Sequence, residues 1–95
     1  MNLYLDDLRP TPEGFERAYD YEEFIAFISK NGMPEFISFD HDLGLGKTGF
    51  DCAKWLVEFC LDNNVLLPEF TFHSQNPVDK ENIETLLNNL KKFQS

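Results

Sequence analysis

The chain alternates between two hydrophobic patterns. Short apolar runs at 3–5, 36–39 and 70–72 are typical of buried strands, and a weaker run at 15–19 predicts one more. The stretches after residues 20, 48 and 76 carry apolar residues three or four positions apart, which indicates helices packed on one side. Strands separated by helices predict a parallel sheet of three or four strands with three helices in an α/β domain.

Capping residues mark the ends of these helices. Asp20, with Glu23 three residues later, predicts the start of the first helix. Thr48 predicts the start of the second helix, which runs to about Asn63. Asn76, directly before a proline, opens the third helix and is more typical of an N-cap than of a ligand-binding residue.

Composition narrows the class of protein. The 95 residues make one domain, 1–95, with no apolar run of membrane-spanning length and no secretory signal. Cys52 and Cys60 fall on the second helix, about 12 Å apart by helical rise. That separation is too large for a disulfide, so we expect reduced core thiols in a cytoplasmic protein.

The chain is strongly acidic. Eight basic against seventeen acidic residues give a net charge of −9. Such a surface repels polyanions and gains little from counterion release, which disfavours a broad nucleic-acid surface. A single phosphate held through a metal ion is compatible with this charge.

Three predicted strands end in polar clusters, and the carboxyl ends of parallel strands meet at one edge of a sheet, where ligands bind. The clusters are Asp6-Asp7, Asp40-His41-Asp42 and His73-Ser74. Like charges so close repel one another and reduce stability unless a cation neutralises them. We therefore predict that Asp6, Asp7, Asp40 and Asp42 hold a divalent cation, with Mg²⁺ first and Mn²⁺ or Ca²⁺ as alternatives.

The remaining polar residues at this edge suit phosphate chemistry. The only two histidines, His41 and His73, can serve as general acid and base because imidazole titrates near neutrality. Ser74 could contact a phosphoryl oxygen or could equally be a turn residue, and Asn76, more typical of an N-cap, is a further candidate phosphate contact. Arg9 could either balance the acid pair or bind phosphate.

Lys47 and the backbone amides of 44–48 form a further candidate anion site at a helix start. Gly46-Lys47-Thr48 is similar to the end of a P-loop. The upstream glycine that a P-loop requires is replaced by His41, which excludes nucleotide binding of that type.

These motifs resemble the receiver domains of two-component signalling. Such domains have an acidic pair after the first strand, a phosphoryl-accepting aspartate after the third and Ser or Thr after the fourth. Asp6-Asp7, Asp40 and Ser74 occupy those positions here. The chain departs from the pattern because it lacks the fifth strand with its lysine and a full helix between Asp7 and Phe15.

Three blocks resemble a divergent group more closely, the cyclic-phosphate processing receiver domains. The blocks are Leu5-Asp6-Asp7-Leu8-Arg9-Pro10, Asp40-His41-Asp42-Leu43-Gly44 and His73-Ser74-Gln75-Asn76-Pro77. The resemblance implies a small, shortened, three-layer flavodoxin-like or receiver-like fold with strand order 2-1-3-4 and a divalent metal site. It also implies a role on cyclic phosphates, such as RNA ends, in repair or biological conflict systems.

Three functions fit these expectations. The first is metal-assisted hydrolysis of a cyclic phosphate ester, with His41, His73 and Asp40 as catalytic residues and Arg9, Ser74, Asn76 and Lys47 holding the phosphate. The second is a non-catalytic module that binds metal and a phosphorylated ligand or a partner protein. The third is phosphoryl acceptance at Asp40, which ranks last because the chain lacks the lysine that such chemistry needs.

Overall fold

The computed structural model describes residues 1–40, 47–72 and 77–94. In these ranges the element order is β1 (Asn2–Leu5), β2 (Phe15–Ala18), α1 (Tyr21–Asn31), β3 (Phe36–Phe39), α2 (Gly49–Asn63), β4 (Glu69–Phe72) and α3 (Pro77–Gln94). Asp6 and Asp40 directly follow β1 and β3. No helix in this part of the chain is long and apolar enough to cross a membrane.

The four strands form one parallel sheet in the order β2-β1-β3-β4. This confirms the predicted receiver-like fold class, its strand order and its helices. It also confirms that the weak run after residue 14 is a strand, since β2 pairs with β1 along its whole length. Strand β1 lies between β2 and β3 and is therefore an inner strand of the sheet.

The strand order determines which face each connection crosses. The step from β1 to β2 runs in one direction across the sheet, whereas the next two steps run in the other. Right-handed crossovers in opposite directions lie on opposite faces, so α1 and α2 share one face and the loop after β1 crosses the other. Helix α3 packs against α2 and therefore lies on the helical face as well.

The hydrophobic core fills the space between the sheet and these three helices. Alternate strand residues point into it, because side chains in a strand alternate between the two faces. The buried strand residues of this core are Leu3, Leu5, Ala18, Ile37 and Phe39. The helices contribute Phe24, Ile28, Cys52, Ala53, Leu56, Cys60, Ile83, Leu87 and Leu90.

The opposite face of the sheet has no described helix over it. Tyr4, Phe15 and Phe36 form an aromatic cluster there, with neighbouring ring centroids 5.9 to 6.0 Å apart in edge-to-face arrangements. The chain between Asp6 and Phe15 crosses this side as a loop, in the place that a helix layer takes in a full-length receiver fold. Among the described residues the helices therefore form a single layer, and a loop takes the place of the third layer in the predicted three-layer fold.

The predicted helix starts are present. Asp20 caps α1 by accepting a hydrogen bond from the Glu23 amide at 2.9 Å. Thr48 caps α2 in a reciprocal capping box with Asp51. Asn76, the predicted cap of α3, lies outside the described residues.

Both cysteines are buried free thiols on α2, as predicted. Burial raises the pKa of each thiol, to about 11 for Cys60. Neither thiol is therefore a reactive thiolate at neutral pH.

Candidate functional site

Asp6 and Asp40 extend the strands that carry them by one residue. The Asp6 amide donates to the Ala18 carbonyl at 3.1 Å, and the Asp40 amide donates to the Leu5 carbonyl at 3.0 Å. Continued pairing fixes both backbones at the carboxyl edge of the sheet. Each aspartate lies two residues beyond a side chain on the loop-covered face, Tyr4 or Ser38, so both carboxylates point away from the helical core.

The acidic cluster consists of Asp6, Asp7 and Asp40. One carboxylate oxygen from each lies within 4.8 Å of the others. Asp6 is fully buried and Asp40 is 4% exposed, while Asp7 is half-buried. The sequence prediction that the ends of β1 and β3 bring these three carboxylates together is thus met.

Asp6 organises the turn after β1. Its Oδ1 accepts hydrogen bonds from the amides of Leu8, at 2.7 Å, and Arg9, at 2.9 Å. An aspartate that accepts amides two and three residues ahead reverses the chain within a few residues. This turn keeps Asp7 in the cluster and Arg9 beside it, because the loop stays at the sheet edge.

Arg9 places its guanidinium between two of the carboxylates. Its Nη1 lies 2.9 Å from Asp6 Oδ2 and 3.6 Å from Asp40 Oδ2. The hydrogen bond to Asp6 is the main reason that the pKa of Arg9 is raised further above its ordinary value. A buried carboxylate requires such pairing, because desolvation of an unpaired charge is unfavourable by several kcal/mol.

Arg17, on β2, holds the loop that carries Arg9. Its Nη1 donates to the Arg9 carbonyl and, at 3.0 Å, to the Thr11 hydroxyl, while its guanidinium lies 4.3 Å from the Tyr19 ring centroid. The sequence analysis did not single out this residue. A basic residue pointing to the loop side of a strand beside the acidic pair is a signal that could have found it.

The cluster suits a hard divalent cation. Oxygen ligands on opposite sides of an octahedral Mg²⁺ are roughly 4.2 Å apart, and those of Ca²⁺ roughly 4.6 to 5.2 Å apart, given the usual metal–oxygen distances. The three carboxylate oxygens, which all lie within 4.8 Å of one another, are therefore spaced much as the ligands of one such cation would be. In addition, Asp7 Oδ1 is a buried acceptor with no hydrogen-bond partner among the described residues, and a cation would satisfy it.

The formal charges of the four side chains favour the same ligand. Three carboxylates and one guanidinium leave a formal charge of −2 on Asp6, Asp7, Asp40 and Arg9. A divalent cation would neutralise this charge.

Nearby, burial is the main cause of the raised pKa of the Tyr4 hydroxyl, and the Asp6 carboxylate adds to it.

Lys47 and Thr48, the described part of the candidate anion site, already interact within the chain. The Thr48 amide donates to Asp51 Oδ2 at 2.8 Å, a hydrogen bond that is the leading cause of the lowered pKa of Asp51. Lys47 Nζ lies 5.6 Å from the Tyr21 ring centroid. Asp51 therefore takes the place of an external anion at the Thr48 amide. The sequence Thr48-Gly49-Phe50-Asp51 carries the signature of this capping box.

The other predicted site residues lie outside the described part of the chain. They are His41, Asp42, His73, Ser74 and Asn76. The described residues that directly precede them are Asp40, one residue beyond β3, and Phe72, the last residue of β4. Their roles stay predictions.

Comparison with known families supplies the remaining finding. The family model of the cyclic-phosphate processing receiver domain matches residues 1–89. The chain belongs to this family. No curated protein and no solved structure matches the chain. The match confirms the resemblance drawn from the three sequence blocks, and it covers the acidic cluster together with all the candidate residues.

Proposed function

We propose that this receiver-like domain is a divalent-metal-dependent phosphoesterase that opens cyclic phosphate esters, such as 2′,3′-cyclic phosphates at RNA ends or cyclic nucleotides. The observation that carries the proposal is the buried acidic cluster at the sheet edge, and the name of the family, cyclic-phosphate processing receiver domain, supports the same activity. A buried cluster of like charges destabilises a small domain unless the charges are offset, and Arg9 offsets only one of the three carboxylate charges, which favours a further cationic ligand.

Asp6, Asp7 and Asp40 would hold the cation, and Asp42 would complete the ligand set from the segment after β3. A bound divalent cation would polarise the phosphoryl oxygens and so favour attack at phosphorus. The choice among Mg²⁺, Mn²⁺ and Ca²⁺ depends on the final number of oxygen ligands. Mg²⁺ is the first candidate, because it retains several waters and needs few carboxylates.

His41 and His73 would divide the proton transfers. One imidazole removes a proton from the attacking water as its oxygen bonds to phosphorus, and the other protonates the ester oxygen that leaves as the ring opens. Ser74, Asn76, Lys47 and Arg9 would bind the remaining phosphoryl oxygens. The product is a phosphate monoester with a free hydroxyl on the carbon whose ester bond to phosphorus was broken.

The direct test is turnover of 2′,3′-cyclic nucleotides in the presence of each cation, followed by phosphorus NMR. We expect a bell-shaped pH profile centred near neutrality, and a loss of about 10²-fold or more in turnover for His41→Ala and for His73→Ala. Both variants should keep the cation-induced rise in thermal stability, which separates loss of chemistry from loss of the site.

The same experiment distinguishes a binding module from an enzyme. Binding of cation and cyclic phosphate without turnover, unchanged in both histidine variants, would contradict hydrolysis. It would instead support a non-catalytic domain that recognises a phosphorylated ligand or a partner protein. The acidic cluster serves either function.

A further inference from the structure

Arg9 contacts two of the three carboxylates that a cation in the acidic cluster would contact. Its Nη1 is 2.9 Å from Asp6 Oδ2 and 3.6 Å from Asp40 Oδ2. These two residues also supply two of the three candidate ligand positions. A guanidinium and a divalent cation close to the same two carboxylates repel each other, because like charges a few ångströms apart interact unfavourably.

The backbone of Arg9 is anchored, whereas its side chain reaches solvent. The amide of Arg9 donates to Asp6 Oδ1, and its carbonyl accepts from Arg17. Its side chain is 41% exposed, in contrast to 0% for Asp6 and 5% for Asp40. The guanidinium therefore approaches the carboxylates from the solvent side and can leave them by side-chain rotation, without moving the turn.

We infer that Arg9 is a built-in counter-ion that competes with the divalent cation for Asp6 and Asp40 and is displaced when the cation binds. This inference rests on the metal site of the proposed function, but it does not depend on turnover. It explains how a chain with a buried acidic cluster folds before it meets a cation. It also makes the freed guanidinium available to an anion at the same edge once the cation is in place.

The test compares cation affinity in wild type, Arg9→Gln and a control, Lys30→Gln, by calorimetric titration with Mg²⁺ and Mn²⁺ at fixed ionic strength. Lys30 lies in the last turn of α1, at the other end of the molecule, and its removal changes the net charge equally. We expect Arg9→Gln to bind the cation about 10-fold more tightly, because one positive charge beside the site is gone. Lys30→Gln should stay within about 2-fold of wild type, since screening weakens distant charges.

A second measurement uses the wild-type protein, in case Arg9→Gln does not fold without a cation. Nitrogen NMR should show separate Nη1 and Nη2 signals for Arg9 in EDTA, because the paired guanidinium cannot rotate. The two signals should merge when Mg²⁺ is added. The Nη1 and Nη2 signals of Arg9 are assigned by their absence from the spectrum of the Arg9→Lys variant.

Three results would overturn the inference. They are equal or weaker cation affinity in Arg9→Gln, an Arg9 guanidinium that stays held at saturating cation, and absence of cation binding in all variants. Only the last of these also removes the metal site from the proposed function. Tight cation binding without turnover would instead contradict hydrolysis and leave the counter-ion role of Arg9 supported.

Discussion

Two regions of opposite character meet where strands β1 and β3 end. Leu5 and Phe39 are fully buried against the helices, whereas Asp6 and Asp40, the next residues, are buried at the sheet edge as carboxylates. The apolar region stabilises the fold through burial. The acidic region needs Arg9, and in our proposal a cation, to offset its own charge. Adjacent residues at the ends of these strands thus serve stability and function separately.

The apolar region should show the largest effect on stability. Leu5→Ala removes a fully buried side chain, and we expect it to lower the free energy of unfolding by about 2 to 5 kcal/mol. Urea unfolding measures this change. Leu8→Ala is the matched control, because Leu8 lies three residues later and is 85% exposed, and it should change stability by less than about 0.5 kcal/mol. Equal effects of the two substitutions would contradict the assigned core.

A second prediction concerns Asp51, a carboxylate elsewhere at the same edge. We expect a smaller effect on stability than for Leu5, because the hydrogen-bond partners of Asp51 are local. Asp51 accepts hydrogen bonds from both the amide and the hydroxyl of Thr48. We expect Thr48→Ala to destabilise the domain by about 1 kcal/mol at pH 7. Thr85→Ala, at an exposed position within α3, is the control and should be neutral or slightly stabilising, because alanine has the higher helix propensity.

The effect of Thr48→Ala should also depend on pH. The pKa of Asp51 is lowered in the folded state, mainly by the Thr48 amide. A lowered folded pKa contributes stability that is present above the unfolded value, about 4, and is lost as the pH falls through the folded value. Thr48→Ala keeps the amide and removes only the hydroxyl, whose hydrogen bond also lowers the pKa of Asp51. The difference in stability between wild type and Thr48→Ala should therefore shrink, by the part that this hydroxyl contributes, in urea unfolding below about pH 4. A difference that is constant from pH 7 to 2 would contradict a stabilising hydrogen bond from the Thr48 hydroxyl to the Asp51 carboxylate.

The sequence predicts the fold well because each signal is local. Alternating patterns and caps such as Asp20 and Thr48 locate the elements, and the short loop after Asp7 leaves no room for a helix on that face. Convergence of Asp6, Asp7 and Asp40 follows from a general property of parallel sheets.

The sequence could not resolve contacts that depend on the path of the loop after β1. Arg9 was compatible with pairing to the acid pair or with binding phosphate, and only the turn organised by Asp6 shows that it pairs. The hydrogen bond from Arg17 to the Arg9 carbonyl joins residues eight positions apart. It depends on the pairing of β2 with β1, and the weak apolar run at 15–19 gives only a faint signal of that strand. The side chain of Asp51 takes the Thr48 amide that an external anion would need. The glycine-rich pattern before Thr48 does not indicate this competition, because Asp51 lies after it.

The most direct test of the acidic cluster is thermal unfolding in EDTA and in millimolar Mg²⁺, Mn²⁺ or Ca²⁺, for wild type, Asp40→Asn and the exposed control Asp62→Asn. At a cation concentration of about 100 times Kd, binding adds about 2.7 kcal/mol. For a domain of this size that corresponds to a rise in Tm on the order of 10 °C. We predict this rise for wild type and Asp62→Asn with at least one cation, and its loss in Asp40→Asn. No rise with any cation, or an equal rise in Asp40→Asn, would contradict the proposed metal site.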